Sequence, residues 1–219
     1  MWCIGKMTEE YRRRIYDLLD LYAMPYLEKE PVICMDEKSK QLLQQTRTPI
    51  AARPGTPSEE DYEYRRAGTR NIFIAVEPKG GHRQAEVTVR RTKTDSVRFI
   101  GQLVEKVHAG AQKIHLVTDN LNAHFRRSFV EVLGIERVEQ MLERVEFHYT
   151  PKHASWLNMA EIEIGIMDRQ CTGRRLASEA MLQSEVTAWK HRRNQAQAGI
   201  EWKFTRQDAD HKLYRHYVS

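Results

Sequence analysis

Two short, largely apolar runs constrain this chain most. Val32 to Met35 in PVICMDEKS is entered from Pro31, and KIHLVTDN spans residues 113–120. Each closes on an acid, Asp36 in the first and Asp119 in the second. Apolar runs this short, bounded by a proline and by charge, read as buried strands, because a helix needs a longer stretch with a 3.6-residue stripe. Around them lie patterns of the other period. Residues 8–23 carry a stripe of Ile15, Leu18, Leu19 and Tyr22, with Thr8 as N-cap and Glu9 and Glu10 in the first turn. Residues 71–91 predict a hairpin: Ile72, Ile74 and Val76 alternate, Gly80-Gly81 turns the chain, and Val87 and Val89 alternate again. Helices are expected over 95–109, stopped by Gly110, over 126–143 with a break near Gly134, over 158–171, over 178–194 and near 206–216. Val145 to Tyr149 reads as a further strand, closed by Pro151, and 48–69 as the longest loop. The order predicts an α/β domain with a mixed sheet: antiparallel early strands, then parallel ones added through helical crossovers.

Composition removes several classes. A chain of 219 residues buries a core without staples. No apolar run approaches the about 20 residues that span a bilayer, and MWCIGKMTEEYRRR lacks the apolar centre of a signal peptide. No membrane partner is therefore expected. Three widely spaced cysteines argue against a disulfide framework and fit a cytoplasmic setting. No two of the nine histidines have ligand spacing on one helix, so structural zinc is not expected. Gly80-Gly81 precedes no helix, which removes the phosphate-loop reading, and no nucleotide cofactor is expected. The net charge of +5 permits nucleic acid without requiring it. Basic residues cluster at Arg65-Arg66, Arg90-Arg91-Lys93, Arg126-Arg127, Arg174-Arg175 and Lys190-His191-Arg192-Arg193, consistent with a phosphate-binding surface or with solvated faces.

Three acids stand at element ends: Asp36, Asp119 and Glu161, the last one turn inside helix 158–171. Carboxylates are hard oxygen ligands for Mg²⁺, and converging strand ends face a shared crevice in open α/β sheets. Asp at a strand end is also a common turn former, so placement alone leaves both readings open.

The flanking residues are more specific. VICMDEKSKQLL, LVTDNLNAHF and FHYTPKHASWLNMAEIEI, in that order, resemble the catalytic segments of DDE transposases of the Tc/mariner superfamily, in its bacterial insertion-sequence branch. WKFTRQDADHKL is similar to the same branch, so the resemblance runs over nearly the whole chain. It implies an RNase H-like mixed sheet flanked by helices, two Mg²⁺ or Mn²⁺ ions, and an Asp-Asp-Glu triad that cuts and rejoins DNA at a TA target. Carried over residue by residue, the triad and metal ligands are Asp36, Asp119 and Glu161. Glu163 is the rival third ligand. It points about 200° from Glu161 on a helix, and Ile162 and Ile166 are expected to line the core side. Glu37 yields to Asp36 because strand neighbours face opposite ways.

Supporting roles are expected from Lys38 beside the first Asp, and from Asn120, Asn122 and His124, which either orient Asp119 or open the next helix as an Asx turn. Asn158 is expected to N-cap the Glu161 helix. His153 and Trp156 line either a DNA channel or, for Trp156, the core, and Arg174 and Arg175 are expected to meet DNA.

Residues 1–30 are assigned to a linker helix, 31–195 to the catalytic domain, and 196–219 to a C-terminal connector and helix. No helix-turn-helix reader of DNA ends is legible. The partners implied are double-stranded DNA, as transposon ends and target, and further copies of the chain on DNA; the location implied is the bacterial cytoplasm, at the nucleoid. A truncated, non-catalytic subunit that inhibits a longer transposase, and a structure-specific nuclease on the same fold, are the alternatives.

Overall fold

The computed structural model describes residues 8–59, 61–119 and 125–213. Five strands, β1 (Val32–Gln45), β2 (Tyr64–Glu77), β3 (His82–Thr88), β4 (Ile114–Thr118) and β5 (Val145–Tyr149), form one sheet in the order β3-β2-β1-β4-β5. The first three are antiparallel, and β4 and β5 are added parallel to β1, as the order of elements predicts. Seven α-helices surround it: α1 (Glu9–Ala23), α2 (Lys93–Gln102), α3 (Phe125–Leu133), α4 (Ile135–Arg144), α5 (Met159–Met167), α6 (Glu179–Gln195) and α7 (Arg206–Leu213). None of the helices described is long and apolar enough to cross a membrane.

Strand alternation divides the core into two layers. Ile33 and Met35 of β1, Phe73 and Ala75 of β2, and Ile114 and Leu116 of β4 pack against Phe99, Ile100, Phe129, Val138 and Met141 on α2, α3 and α4. Their neighbours Cys34, Ile72, Ile74, Val76 and Val117 face the other way, onto Ile15 and Leu18 of α1, Met159 and Met167 of α5, and Leu182, Val186 and Trp189 of α6. This two-sided cover is why the central runs are apolar without alternation. Each fully buried Leu, Ile or Phe contributes about 1.5–3 kcal/mol, so both layers are needed. Residues 1–30 were assigned to a linker, yet α1 supplies Ile15, Leu18, Leu19, Leu21 and Tyr22 to the core.

Several boundaries differ from expectation. β1 does not end at Asp36 but runs on to Gln45, paired with β2 from Cys34↔Val76 to Gln45↔Tyr64. From Asp36 to Gln41 its residues alternate between half-buried and exposed, the pattern of a hairpin arm with one wet face, before Leu42 returns to the core. β2 therefore begins at Tyr64, inside the expected loop, and β3 ends at Thr88. α2 starts earlier than expected because Thr92 and Asp95 form a reciprocal capping box (Asp95 N to Thr92 Oγ1 3.2 Å, Thr92 N to Asp95 Oδ2 2.9 Å). Both α2 and α5 widen into a π-helical turn at the C-terminal end, Leu103–Val107 and Asp168–Thr172. Gly81 closes the β2–β3 turn at φ +69°, and a Cβ there would sit 2.5 Å from the Gln197 carbonyl oxygen. Only glycine fits both demands.

Candidate active site

Asp36 lies where the parallel partner of β1 stops. β4 pairs with β1 only from Val32↔His115 to Cys34↔Val117. Asp36 and Asp119 each follow that last pair by two residues, and the Asp119 charge acts on the Asp36 carboxyl. Each carboxylate has one oxygen anchored. The Glu37 backbone N–H donates to Asp36 Oδ1 at 2.7 Å, and the Thr150 hydroxyl donates to Asp119 Oδ1 at 2.8 Å.

Glu161 arrives from α5, and Asn158 places that helix. Its side-chain oxygen accepts from Ala160 N at 3.1 Å, which makes it the expected N-cap. Its side-chain amide donates to the Met35 carbonyl at 2.9 Å, one residue before Asp36. A fully buried asparagine thus fastens the start of the Glu161 helix to the Asp36 strand.

The electrostatics register this convergence. Burial pushes the Asp36 carboxyl up to about 7, and the negative charges of Asp119, Glu161 and Glu37 add to the rise against the opposing Glu37 N–H. Burial raises Glu37 as well, with Arg91, 3.8 Å away, acting against it. Among the described residues no Lys or Arg forms an ion pair with Asp36, Asp119 or Glu161. Among the described residues the three carboxylates do not draw within 4.8 Å of one another, but their charges act on one another, and hard oxygen donors of this kind suit a divalent ion such as Mg²⁺ or Mn²⁺.

Glu163, the rival third ligand, is fully buried. Arg83 Nε lies 2.8 Å from its Oε1 and Arg193 Nη2 lies 3.1 Å from its Oε2. This corrects the expected faces of α5. Ile162 is exposed and Ile166 only half-buried, while Glu163 and Ile164 face inward. MAEIEIGIM is apolar almost all round, so no single face could be read from it, and two arginines make the burial of Glu163 tolerable.

Other expected residues divide in the same way. Lys38 bonds Asp168 on α5's π-helical extension, and Lys40 donates to the Arg174 carbonyl at 2.9 Å. Lys38, Lys40, Arg169 and Arg174 line one groove. Arg174 pairs with Glu185 at 2.5 Å. Arg175 directs its guanidinium to the Asp61 carbonyl (2.6 Å), Gln45 Oε1 (2.8 Å) and the Tyr62 carbonyl (3.2 Å), clamping the loop before β2. His153 is exposed at φ +66°, and Trp156, weighed as core, is 42% exposed and packs on Phe204 with ring centroids 5.5 Å apart. Asn120, Asn122 and His124 lie outside the described residues. Sequence reasoning missed Thr150, whose only signal is its place directly before Pro151. It also missed Arg83 and Arg193, which read as hairpin and surface charges.

A family model described as DDE superfamily endonuclease matches residues 31–183. No curated protein sequence matches. Of the solved structures, the pre-cleavage Mos1 transpososome aligns at TM-score 0.52 and 14% identity, over 90% of this chain and 64% of the other. The Mos1 transposase paired-end complex with left transposon end gives 0.51 and 13%, over 90% and 62%. The Mos1 mariner paired end complex with Mn gives 0.50 and 15%, over 90% and 62%. This chain spans less than two thirds of the length of those chains, and at such identities the likeness is one of fold, an RNase H-like mixed sheet flanked by helices. The family match runs from the start of β1 through Asp36, Asp119 and Glu161 into α6, and the protein belongs to the DDE superfamily endonucleases.

Proposed function

We propose that the chain is the catalytic domain of a cut-and-paste DNA transposase, of the bacterial insertion-sequence branch of the Tc/mariner superfamily. The observation that carries this reading is that the charges of Asp119 and Glu161 act on the half-buried Asp36, with no ion-paired cation among the described residues, inside a domain of this family. Asp36, Asp119 and Glu161 are the ligands, for two Mg²⁺ or Mn²⁺ ions. When bound, such ions activate an attacking oxygen and stabilise a leaving one at phosphorus.

The chain's own residues aim the site. The Glu37 N–H and the Thr150 hydroxyl fix one oxygen each of Asp36 and Asp119, leaving the second of each for a ligand. Asn158 sets the distance between Glu161 and Asp36 through its two bonds. The groove of Lys38, Lys40, Arg169 and Arg174 takes the phosphate backbone of double-stranded DNA, transposon end or target, with no base preference of its own. Residues 31–195 carry the catalytic residues of a domain whose core α1 and α7 complete, it works on DNA as an oligomer, and its place is the bacterial cytoplasm.

The test is divalent-dependent nicking and strand transfer on pre-cut ends. D36N, D119N and E161Q are each expected to lose about 10²–10³ in rate, the equivalent of several kcal/mol of charge stabilisation, while remaining folded. Activity surviving in all three variants would overturn the assignment. Nicking without strand transfer by the intact chain would favour a nuclease.

A further inference from the structure

A second group of ligands lies on the α1 side of the sheet. In IHLVT, alternation sends His115 to the face of Val117; in VEFHY it sends Glu146 and His148 to that same face, while Phe147 packs on the other. The parallel register pairs His115 with Glu146 and Val117 with His148, so the two histidines are diagonal neighbours. His115 Nδ1 lies 3.0 Å from His148 Nε2 and 3.4 Å from Glu146 Oε2. The three ligand atoms all fall within 4.8 Å of one another.

We propose that His115, His148 and Glu146 form a binding site for a divalent transition-metal ion of the zinc class, separate from the acidic crevice of Asp36, Asp119 and Glu161. An ion with bonds of about 2.0–2.2 Å in tetrahedral geometry holds its ligand atoms about 3.3 Å apart, which the 3.0 and 3.4 Å separations bracket. Two imidazoles and one carboxylate select zinc-like ions over the hard Mg²⁺ that an all-carboxylate site prefers. Three protein ligands leave a fourth position for water, and Glu146, 47% exposed, gives it an open side.

The surroundings prepare the ligands. Asp17 Oδ2 of α1 lies 2.8 Å from His148 Nδ1. A carboxylate accepts, so His148 offers Nδ1–H to Asp17 and keeps Nε2 unprotonated; without an ion that nitrogen accepts the hydrogen bond from His115 Nδ1, which the ion would replace. A carboxylate behind a ligating histidine is the usual outer support of such ions. The competitor is Lys113, whose Nζ lies 2.6 Å from Glu146 Oε2. Both partners of that pair are 47% exposed, so water screens it and little is lost when it is given up. Spacing along one helix, which makes zinc unexpected, does not govern this pair: adjacent strands join histidines 33 residues apart. The bound ion would brace α1 against β4 and β5 through Asp17.

The test uses the full chain carrying D36N and E161Q, so that the acidic crevice does not compete, titrated with Co²⁺ and followed by its visible absorption. One equivalent should give the intense bands of a four-coordinate ion, and Zn²⁺ should abolish them. H148Q should weaken binding at least hundredfold, and D17N by about 10–100-fold. The exposed Glu146 gives a variant that does not threaten folding: E146Q should weaken binding at least tenfold. A Co²⁺ spectrum no different from the aqueous ion, or an affinity unchanged by both E146Q and H148Q, would overturn the proposal. Because the crevice is disabled throughout, neither result bears on the transposase reading.

Discussion

Glu161 and Glu163 stand two residues apart on α5, and the fold treats them oppositely. Glu163 is fully buried and matched by Arg83 from β3 and Arg193 from α6. Glu161 is exposed to the crevice and adds its charge to those of Asp36, Asp119 and Glu37. The first carboxylate is completed by the protein and belongs to its stability. The second joins a group in which only Glu37 has a basic partner among the described residues, Arg91 at 3.8 Å. A carboxylate's role here is set by which cations the rest of the chain brings to it, which its own position on the helix does not reveal.

The largest expected effect breaks the pair apart. E163Q should destabilise the fold by about 3–5 kcal/mol, because it strands two arginines beside a buried neutral amide. E161Q should stay within about 0.5 kcal/mol of the parent. Urea denaturation of both variants checks this, and equal costs would erase the distinction.

Next comes pH. The folded carboxyl of Asp36 titrates near 7 against an ordinary value of 3.8, so between those values the folded state holds more protons than the unfolded one. Stability should therefore fall as pH rises from about 4 through about 7, by on the order of 2–4 kcal/mol. D36N should remove that slope and stabilise the metal-free protein above pH 7. Denaturation at pH 5 and pH 8 for parent and variant tests the sign.

Divalent ions should act on the same side of the comparison. At a hundred times its dissociation constant, Mn²⁺ bound in the crevice should add about 2.7 kcal/mol to the parent at pH 8. D36N with E161Q should lose that gain, whereas E163D, which keeps the charge beside Arg83 and Arg193, should retain it. Thermal denaturation with and without the ion measures it.

Three acids could be singled out because the residues around them are distinctive: MDEKS, TDNLN and LNMAEIE carry the family resemblance, although Asp36 lies mid-strand and not at a strand end. Helices α1, α3 and α4 and strand β5 were legible because their apolar periods match the faces they bury. The extension of β1 was not, since EKSKQLLQQ has little strand propensity and pairs only because β2 runs alongside. Nor was the burial of Glu163, which depends on Arg83 and Arg193, 80 and 30 residues away. The His115–His148 contact needs a parallel register that no local pattern states.

Two smaller effects sharpen the comparison at the helix start. N158A should cost about 1–3 kcal/mol, by removing the cap and leaving the Met35 carbonyl unbonded, and should slow nicking by displacing Glu161 from Asp36. N158D keeps the cap acceptor but buries an unpaired carboxylate against that carbonyl, so it should cost at least as much as N158A and recover little of the rate. T150V should cost about 1 kcal/mol, the worth of its bond to Asp119, and weaken Mn²⁺ binding about tenfold or more. Paired denaturation and single-turnover nicking separate the two contributions.

The two core layers also differ in when they can exist. The layer holding Phe99, Phe129 and Val138 is complete once the ribosome has made β5, whose last residue is Tyr149. The layer holding Leu18 waits for Trp189 and Leu213, and its helix α1 is tied to the far end of the chain by the Tyr22 hydroxyl on the Leu157 carbonyl (2.8 Å) and by Asp20 with Arg206 (3.0 Å). At about 5–20 residues per second, one face of the sheet stands half-dressed for several seconds. During that interval Ile72, Ile74 and Val76 lie open to chaperones and to other nascent chains. Pulse-labelled hydrogen exchange on refolding protein should find the amides around Phe99 protected before those around Leu18, and simultaneous protection would remove this order of assembly.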